Sequence, residues 1–366
     1  MDDSACIDAI YAAISRRGPP MTIRDETVPT PASPLRLAEV AARAGVSEST
    51  VSRVLRNIGP IAETTRAAVL KAAEELGYVP NRLAGALAST GSALVGVVVP
   101  SLDNIVFAEV LRGVTEKLEE AGLQAVIGVT GYDLEREERI VSALLAWRPR
   151  GIVIAGIDHT PRVRDLLAAN GTAVVEMMDI DGSEPALGRR VGLSHGAAGA
   201  AMAAHLVARG HRRFGYVGHD ISRDIRARKR LDGFAAELAR RGGDLVARQM
   251  VPGPSSVSAG RAGLAALLAA QPDLDAVYFS NDDMAVGGYF HCEANGIRMP
   301  DDLAIAGFNG LDIGQELPRR LTTVRSPRYR IGQLAAEQIL TRQDAAGPAS
   351  PATIDVGFEL IAGETA

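Results

Sequence analysis

Short polar side chains and one arginine are gathered in residues 47–53. Ser47, Ser49 and Thr50 each carry a small hydrogen-bonding group, while Arg53 carries a planar fork of donors. A helix with such a surface suits the major groove of DNA, where base edges and phosphates offer hydrogen-bonding partners. These residue types therefore predict contact with a nucleic acid.

Two short helices are predicted to hold this surface in the string LAEVAARAGVSESTVSRVL, residues 37–55. The helices would pack through small and apolar side chains: Val40, Ala41, Ala44, Val51 and Leu55. Gly45 permits a tight turn between them, and Ser47 can cap the second helix. The exposed face of that helix would carry Glu48, Ser49, Thr50, Ser52 and Arg53. An ordinary surface hairpin of helices is the alternative, but the polar outer face favours a DNA-binding helix-turn-helix.

A third helix is predicted over TTRAAVLKAAEELG, with Thr64 or Thr65 at its start and Gly77 at its end. Val69, Ala73 and Leu76 would line one face of it. The following stretch NRLAGALAST is weakly helical and too short to hold a helix by itself in water. Such a segment either links domains or folds when a partner supports it.

Charge and cysteine content limit the classes of protein to consider. The 366 residues carry a net charge of -5, whereas the segment 36–82 has seven basic and five acidic side chains. This asymmetry favours a small DNA-binding module on a larger acidic body. The two cysteines, Cys6 and Cys292, match no metal-ligand spacing and no disulfide framework. We therefore expect no metal site.

The chain has no apolar run approaching the roughly 18 residues of a membrane span. Its N-terminus opens with Asp2 and Asp3 rather than with the basic start of a signal peptide. We therefore expect a cytoplasmic protein. Residues 1–33 contain several prolines and are predicted to be a disordered extension. Translation starting at Met21 is a hypothesis that would shorten this arm.

From Leu94 onward, apolar runs rich in valine and isoleucine alternate with helical stretches. The runs cover 94–100, 123–129, 151–156, 172–178, 213–218, 276–281 and 303–308. Continuous apolar strands separated by helices predict a parallel sheet covered on both faces. A break near 182–192 suggests two lobes, with a ligand cleft at the carboxyl ends of the strands, and the tail 353–361 is predicted to be a final strand.

The predicted fold is thus an all-α helix-turn-helix head with a hinge helix, followed by a two-lobed α/β body of parallel sheets. The domain boundaries are predicted as 1–33 for the extension, 34–79 for the head, 80–92 for the hinge and 93–366 for the body.

From about Leu35 to Gly363 the sequence resembles the lactose/galactose repressor family of bacterial transcription regulators. The strings AGVSESTVSRVL and TTRAAVLKAAEELGYVPNRLAGAL carry the resemblance in the head and hinge. Within the family the chain is most similar to the gluconate-operon repressors. PSLDNIVFAEVLRGV, DHTPR, VVEMMD, SNDDMAVG and PDDLAIAGFNGLDIGQ carry that closer likeness. The body it implies is like that of type I periplasmic binding proteins.

The resemblance implies DNA contacts for particular residues of the head. Glu48, Ser49 and Arg53 fall where the family reads base edges, and Ser47 and Thr50 fall where it contacts phosphates. Asn57 belongs to the same predicted set of DNA contacts. Arg53 could bind a guanine with two hydrogen bonds or contact phosphates only. Glu48 could accept a hydrogen bond from cytosine or adenine, or its negative charge could instead stabilise the positive N-terminal end of the helix.

The resemblance also implies a hinge helix that forms in the minor groove of DNA. Asn81, Arg82, Ala84 and Leu87 fall at its contact positions. Leu87 matches an apolar wedge that kinks the duplex, and a buried contact between domains is the alternative. Gly85 disfavours the helix without DNA.

A sugar acid is the effector that the resemblance implies. Arg228 in IRARKRLDGF matches the family's effector-binding arginine, whose planar fork suits a carboxylate. Asp282 matches the aspartate that accepts from ligand hydroxyls, although it could also cap the following helix. Further candidates follow the strands of the first lobe: Ser101, Asn104, His159, Thr160 and Glu176.

The function predicted from these residues is a repressor that binds a palindromic operator in double-stranded DNA as a homodimer. A sugar acid, gluconate above all, would release it; 2-ketogluconate or a neutral sugar are alternative effectors, and a tetramer remains open. A doubly wound enzyme is the competing class, yet GVVVPSLDN replaces a glycine-rich dinucleotide loop and no phosphate-binding loop occurs. We therefore expect no catalytic residues and no cofactor. A periplasmic sugar-binding protein would lack the helix-turn-helix.

Overall fold

The computed structural model describes residues 35–56, 58–79, 92–341 and 353–366. The chain divides into two units, 1–85 and 86–366. Several predictions lie outside the described residues: the extension 1–33, Asn57, and the hinge 80–92 except Ser92, with Asn81, Arg82, Ala84 and Leu87.

Three helices form the first unit. They are α1 (Leu37–Ala44), α2 (Glu48–Leu55) and α3 (Glu63–Leu76). Gly45 ends α1 with a φ of 67°, a left-handed conformation that glycine adopts without steric cost. The helices pack around buried Val40, Ala41, Val51, Val54, Val69, Ala72 and Ala73, with Ala44 and Leu55 packed against this cluster. The predicted helices are confirmed, although α3 begins one residue before the predicted threonines.

A six-stranded parallel sheet forms the first lobe of the second unit. Its strands are β1 (Leu94–Val99), β2 (Gln124–Val129), β3 (Gly151–Ala155), β4 (Ala173–Asp179), β5 (Arg189–Leu193) and β11 (Thr353–Asp355). They lie side by side in the order β11-β5-β4-β3-β1-β2. The helices of this lobe are α4 (Ile105–Glu120), α5 (Leu134–Ala146), α6 (Pro161–Ala169) and α12 (Arg328–Thr341). The four central strands β1, β3, β4 and β5 are almost wholly buried and rich in valine, isoleucine and methionine, as expected for a sheet covered on both faces, whereas the edge strands β2 and β11 are largely exposed.

A four-stranded parallel sheet forms the second lobe. Its strands are β6 (Arg213–His219), β7 (Asp244–Val251), β8 (Ala276–Phe279) and β9 (Ala304–Ala306). They lie side by side in the order β7-β6-β8-β9. Its helices are α7 (His195–Ala208), α8 (Ile225–Arg241), α9 (Val257–Ala270) and α10 (Asp282–Asn295). A short helix α11 (Asp312–Gln315) precedes a two-stranded antiparallel sheet of β10 (Thr323–Arg325) and β12 (Glu359–Ile361).

Two details of the predicted body are wrong. The proposed break at 182–192 overlaps β5, which pairs with β4, so the chain leaves the first sheet only after Leu193. The tail 353–361 is two strands rather than one: β11 pairs with β5, and β12 pairs with β10. Gly357, with a φ of 66°, lies between them and allows the change of direction.

None of the helices in the described ranges is both long and apolar enough to span a bilayer.

Candidate functional site

Ser47 organises the start of α2. Its Oγ accepts a hydrogen bond from the Thr50 amide at 3.2 Å, which satisfies a free donor of the first turn. The same oxygen lies 2.8 Å from Oγ of Ser49 and 2.9 Å from Oγ1 of Thr50. The predicted cap is therefore confirmed, and three of the predicted DNA contacts form one hydroxyl cluster at this helix end.

The other predicted readers lie on the outer face of α2. Glu48, Ser49 and Arg53 are exposed, whereas Val51 and Val54 hold the opposite face in the core. An ion pair of 2.5 Å between Arg43 and Glu75 joins α1 to α3. The outer face of α2 is thus polar and exposed. Glu48 lies in the first turn, where either interpretation of its carboxylate remains available.

A small cavity lies between the two lobes of the body, which we call the inner cavity. It is lined by Asn104, Val106, Phe107, Tyr132, Met178, Leu193, His195, Asp224, Arg226, Arg230, Asn281, Phe308, Asn309 and Ser326. These residues come from both lobes and include several hydrogen-bond donors. The cavity has a volume of about 20 Å³ and most of its lining side chains are polar, so in this conformation it has room for one small polar group.

Arg230 is the buried cation of the inner cavity, with only 5% of its surface exposed. Its Nη2 donates to the carbonyl of Ser280 at 3.2 Å and to Oδ1 of Asn281 at 3.3 Å. Its guanidinium lies 4.0 Å from the centre of the Phe308 ring, a cation–π contact. Nε of Arg230 and Oγ of Ser326 are buried without a hydrogen-bond partner. Both atoms belong to residues that line the cavity.

His195 connects Arg230 to the first lobe. Its Nε2 lies 2.9 Å from the carbonyl oxygen of Met178 and its Nδ1 lies 3.2 Å from Nη1 of Arg230. Burial, reinforced by the positive charge of Arg230, lowers the pKa of His195 well below its ordinary value. The neutral ring therefore donates from Nε2 to the carbonyl and accepts from Arg230 at Nδ1.

A second histidine lies beside the cavity between a carboxylate and a serine. Nε2 of His219 is 3.4 Å from Oδ2 of Asp224, and its Nδ1 is 3.0 Å from Oγ of Ser280. Burial raises the pKa of Asp224, but the His219 hydrogen bond together with Arg226 and Arg230 outweighs it and leaves the pKa below its usual range. Asp224 is thus an ionised carboxylate at the cavity wall.

A larger chamber of about 600 Å³ adjoins the inner cavity and shares Tyr132, Asp224 and Arg226 with it. The chamber lies at the carboxyl ends of three strands, where Pro100, Thr130 and the Ala155–Gly156 pair line it. This is the edge at which parallel sheets of this kind bind ligands. The cleft predicted between the lobes is present.

The candidates of the first lobe do not all reach this cleft. Asn104 lines the inner cavity and His159 lines the larger chamber. Glu176 is fully buried and accepts from Nε of Arg190 at 2.9 Å. Thr160 caps α6 and donates to Glu138, while Oγ of Ser101 accepts from two backbone amides of the next turn. Neither of these two hydroxyl residues lines the inner cavity or the chamber.

Arg228 and Asp282 lie away from the lining of both spaces. Arg228 is exposed and donates from Nη2 to the carbonyls of Ile221 and Ser222. Asp282 is fully buried and accepts from the Leu311 amide at 2.7 Å and from the Thr323 hydroxyl at 2.6 Å. Burial raises its pKa to about 6. In this conformation Asp282 joins structural segments, and its role towards a ligand stays a prediction.

Helical spacing could have identified Arg230 from the sequence. The buried face of α8 carries Ala227, Arg230, Leu231, Phe234 and Leu238, the spacing of one helical stripe. Arg230 falls on that stripe and Arg228 does not. His195, Asp224 and Asn281 carried no such signal, because each becomes part of the site only when distant elements meet.

In the part of the chain that the structure describes, no three His, Cys, Asp or Glu side chains are arranged to hold a metal ion.

Two family models match the chain. Residues 36–81 match the bacterial regulatory proteins of the lacI family. Residues 92–356 match the periplasmic binding proteins and sugar binding domain of the LacI family, which covers well over half of the chain.

The chain belongs to the LacI family of bacterial transcription regulators.

Relatives of this LacI-family regulator match over nearly their whole length. The HTH-type transcriptional regulator GntR of Pseudomonas aeruginosa is 40% identical over 346 residues, which is 94% of this chain and 99% of the relative. A solved structure of a LacI family regulator from Silicibacter pomeroyi is 44% identical, with a TM-score of 0.87, and covers 91% of this chain and 99% of that one. The lac repressor dimer bound to operator and an anti-inducer is 25% identical, with a TM-score of 0.79 over 91% and 99% of the two chains.

Family membership decides between the classes considered from the sequence. This LacI-family regulator is a DNA-binding transcription regulator and not an enzyme, as predicted. The predicted architecture, a helical head before a two-lobed α/β body, is likewise confirmed by its relatives. The individual DNA and effector contacts stay predictions.

Proposed function

We propose that this regulator is a repressor that a sugar acid, gluconate in the first instance, releases from its operator. The observation that carries the proposal is the buried guanidinium of Arg230, which keeps an unpartnered Nε in a residue lining the inner cavity. A buried cation with an unused donor favours an anionic ligand, because a carboxylate can satisfy both charge and hydrogen bond. The likeness to regulators named GntR supports gluconate within that class.

Hydroxyl groups of the ligand also find partners in this arrangement. The amides of Asn104, Asn281 and Asn309 and the carboxylate of Asp224 line the inner cavity, and the chamber beside it has room for a polyol chain. Arg230 replaces Arg228 as the proposed carboxylate-binding residue, since Arg228 lies outside the lining. Asn104 and His159 remain in the proposed effector site, whereas Ser101, Thr160 and Glu176 are engaged in structural contacts.

We propose that the head binds a palindromic operator as part of a homodimer in the cytoplasm, where its DNA lies. A dimer bound to operator is what one related solved structure contains. The DNA contacts of the described head would come from Ser47, Glu48, Ser49, Thr50 and Arg53. The regulator then has one conformation that binds the operator better and another that binds the effector better. Each ligand shifts the equilibrium towards the conformation that it prefers, so effector binding weakens operator binding.

Fluorescence anisotropy with a labelled duplex from the regulator's own upstream region tests this function. We expect tight binding without ligand and release on titration with gluconate, while glucose, which lacks the carboxylate, leaves the complex intact. 2-Ketogluconate in a parallel titration identifies the better sugar acid. Binding of DNA that no sugar acid reverses would reject the effector, and failure to bind the duplex would reject the repressor.

A further inference from the structure

Two consecutive residues of the first lobe are connected to two consecutive residues of the second, one pair directly and the other through His195. Met178 and Asp179 end β4, and Lys229 and Arg230 lie in the second turn of α8. The Met178 carbonyl reaches Arg230 through His195, as described above. Asp179 reaches its partner directly, with Oδ2 at 2.6 Å from Nζ of Lys229. The ion pair therefore lies beside the hydrogen-bonded connection that ends on the proposed effector-binding arginine.

The Asp179–Lys229 pair is largely withdrawn from water. The Asp179 side chain is fully buried and that of Lys229 is 19% exposed. The second carboxylate oxygen of Asp179 accepts from the Asp181 amide at 2.8 Å, so both oxygens are used. Nζ of Lys229 also lies 3.4 Å from Oδ2 of Asp158, a half-exposed carboxylate of the larger chamber. A buried pair of this kind strongly resists loss of one partner, because the other charge then lacks compensation.

The backbone at this junction is strained. Met178 has a φ of 80°, a conformation that is unfavourable for a residue with a bulky side chain. Such strain persists only where the surroundings hold it, and it is often found at functional positions. This left-handed conformation directs the Met178 carbonyl to His195 for a hydrogen bond, while the side chain of Asp179 forms the ion pair with Lys229. Three independent features thus meet at one contact between the lobes.

We infer that the Asp179–Lys229 pair is a positioning contact for effector binding, a role that rests on the proposed sugar-acid function. The pair holds α8 against the end of β4, so that Arg230 stays in the inner cavity with its donors aimed between the lobes. Without the pair, α8 samples positions in which Arg230 has left the cavity. The apparent affinity for the effector is then the intrinsic affinity multiplied by the fraction of molecules that keep the binding-competent arrangement.

Replacing the two charged side chains by neutral ones distinguishes an effect on the position of Arg230 from an effect on the stability of the fold. The test uses Asp179→Asn, Lys229→Met and the double variant in the full chain. Each single variant should unfold at a lower temperature than wild type, whereas the double variant should regain most of that loss because no buried charge is left unpaired. Gluconate binding, measured by calorimetry, should nevertheless stay weakened about tenfold in the double variant. The control Arg241→Gln, which breaks an ion pair with Glu237 within α8 and away from the cleft, should stay within about twofold of wild type.

A distance measurement tests the same contact without any ligand. Spin labels at Glu119→Cys on α4 and Arg240→Cys on α8 report the separation of the lobes, after Cys6→Ser; Cys292 is buried and can remain. Labelled protein is diluted with unlabelled protein so that distances within one chain dominate. The distance distribution should be broader in the double variant than in wild type.

Gluconate calorimetry and the distance measurement can contradict the proposal in different ways. A double variant that binds gluconate with wild-type affinity, or that keeps the wild-type distance distribution, overturns the positioning role. If wild type itself binds no gluconate while the distribution still broadens, the proposed effector is wrong and the positioning of α8 by the ion pair stands.

Discussion

Arg230 donates from Nη1 to Nδ1 of His195 over 3.2 Å, and the imidazole donates in turn to the carbonyl of Met178. A protonated ring could not accept from the guanidinium, so this contact requires the neutral form that burial enforces. The two residues belong to neighbouring helices, α7 and α8, and together they reach from the second lobe to the first. The proposed effector site is thus built on a contact between lobes.

Arg230→Gln should shift the response to gluconate to much higher concentrations and leave operator binding intact. Losing a buried, charged donor should weaken gluconate binding roughly 10- to 100-fold, since such hydrogen bonds contribute about 1.5–3 kcal/mol. Calorimetry with gluconate measures the affinity, and operator anisotropy checks the fold of the head.

Arg228→Gln is the matched control on the same helix. Its guanidinium is exposed and donates only to the carbonyls of Ile221 and Ser222, so gluconate affinity should stay near wild type. The reverse result, in which Arg228→Gln ignores gluconate and Arg230→Gln responds, would return the effector site to the residue first identified by resemblance.

Asp282 should make the protein less stable as pH rises from about 4 to about 6. Burial raises its pKa from 3.8 to about 6, so the folded state binds this proton more tightly than the unfolded chain. The free energy of unfolding that protonated Asp282 contributes is present in full below about pH 4. It declines between about pH 4 and pH 6 and no longer changes above that range. A shift of this size corresponds to about 2–3 kcal/mol.

The comparison with Asp282→Asn isolates this titration from all others. Urea unfolding followed by circular dichroism gives the free energy of unfolding of both proteins at several pH values. The wild type should lose about 2–3 kcal/mol relative to the variant between pH 4 and pH 7. A difference that stays flat across this range would show that folding does not raise the pKa of Asp282.

Gly199 allows α7 and α8 to approach closely. A Cβ there would overlap the carbonyl oxygen of Arg230, which is backbone and has little freedom to move. Gly199→Ala should therefore destabilise the body by about 1–3 kcal/mol and displace Arg230. Thermal unfolding and gluconate titration measure the two effects.

Gly196→Ala provides the control within α7. A Cβ at Gly196 would lie 3.6 Å from Oδ2 of Asp181, an ordinary contact. Stability should change little, or rise slightly because alanine favours the helix. Equal losses in the two variants would mean that the close crossing at Gly199 does not matter.

Glu48→Gln should bind DNA of any sequence more tightly, about two- to threefold, because an exposed carboxylate on α2 repels phosphates. Anisotropy with the operator and with a scrambled duplex, at matched salt, measures the change. Glu74→Gln on α3, an exposed carboxylate away from α2, should have a smaller effect. Weaker binding confined to the operator would instead identify Glu48 as a reader of a base.

The amino-acid sequence determined the local parts of this protein. Gly45 and Ser47 specify the turn and the helix start of the head through backbone freedom and capping, both of which act within a few residues. Continuous apolar runs likewise specify buried parallel strands, because burial on both faces leaves no polar alternation. The spacing of α8 also held the information that Arg230, rather than Arg228, faces inward.

Tertiary structure decided the pairings between distant segments. β5 joined the first sheet and the tail split between two sheets because strand partners are set by packing over long separations, which local pattern does not encode. The inner cavity unites Asn104, His195, Arg230 and Asn309 only after both lobes have folded. Burial then set the neutral state of His195 and the raised pKa of Asp282, since both depend on the water that the assembled lobes exclude.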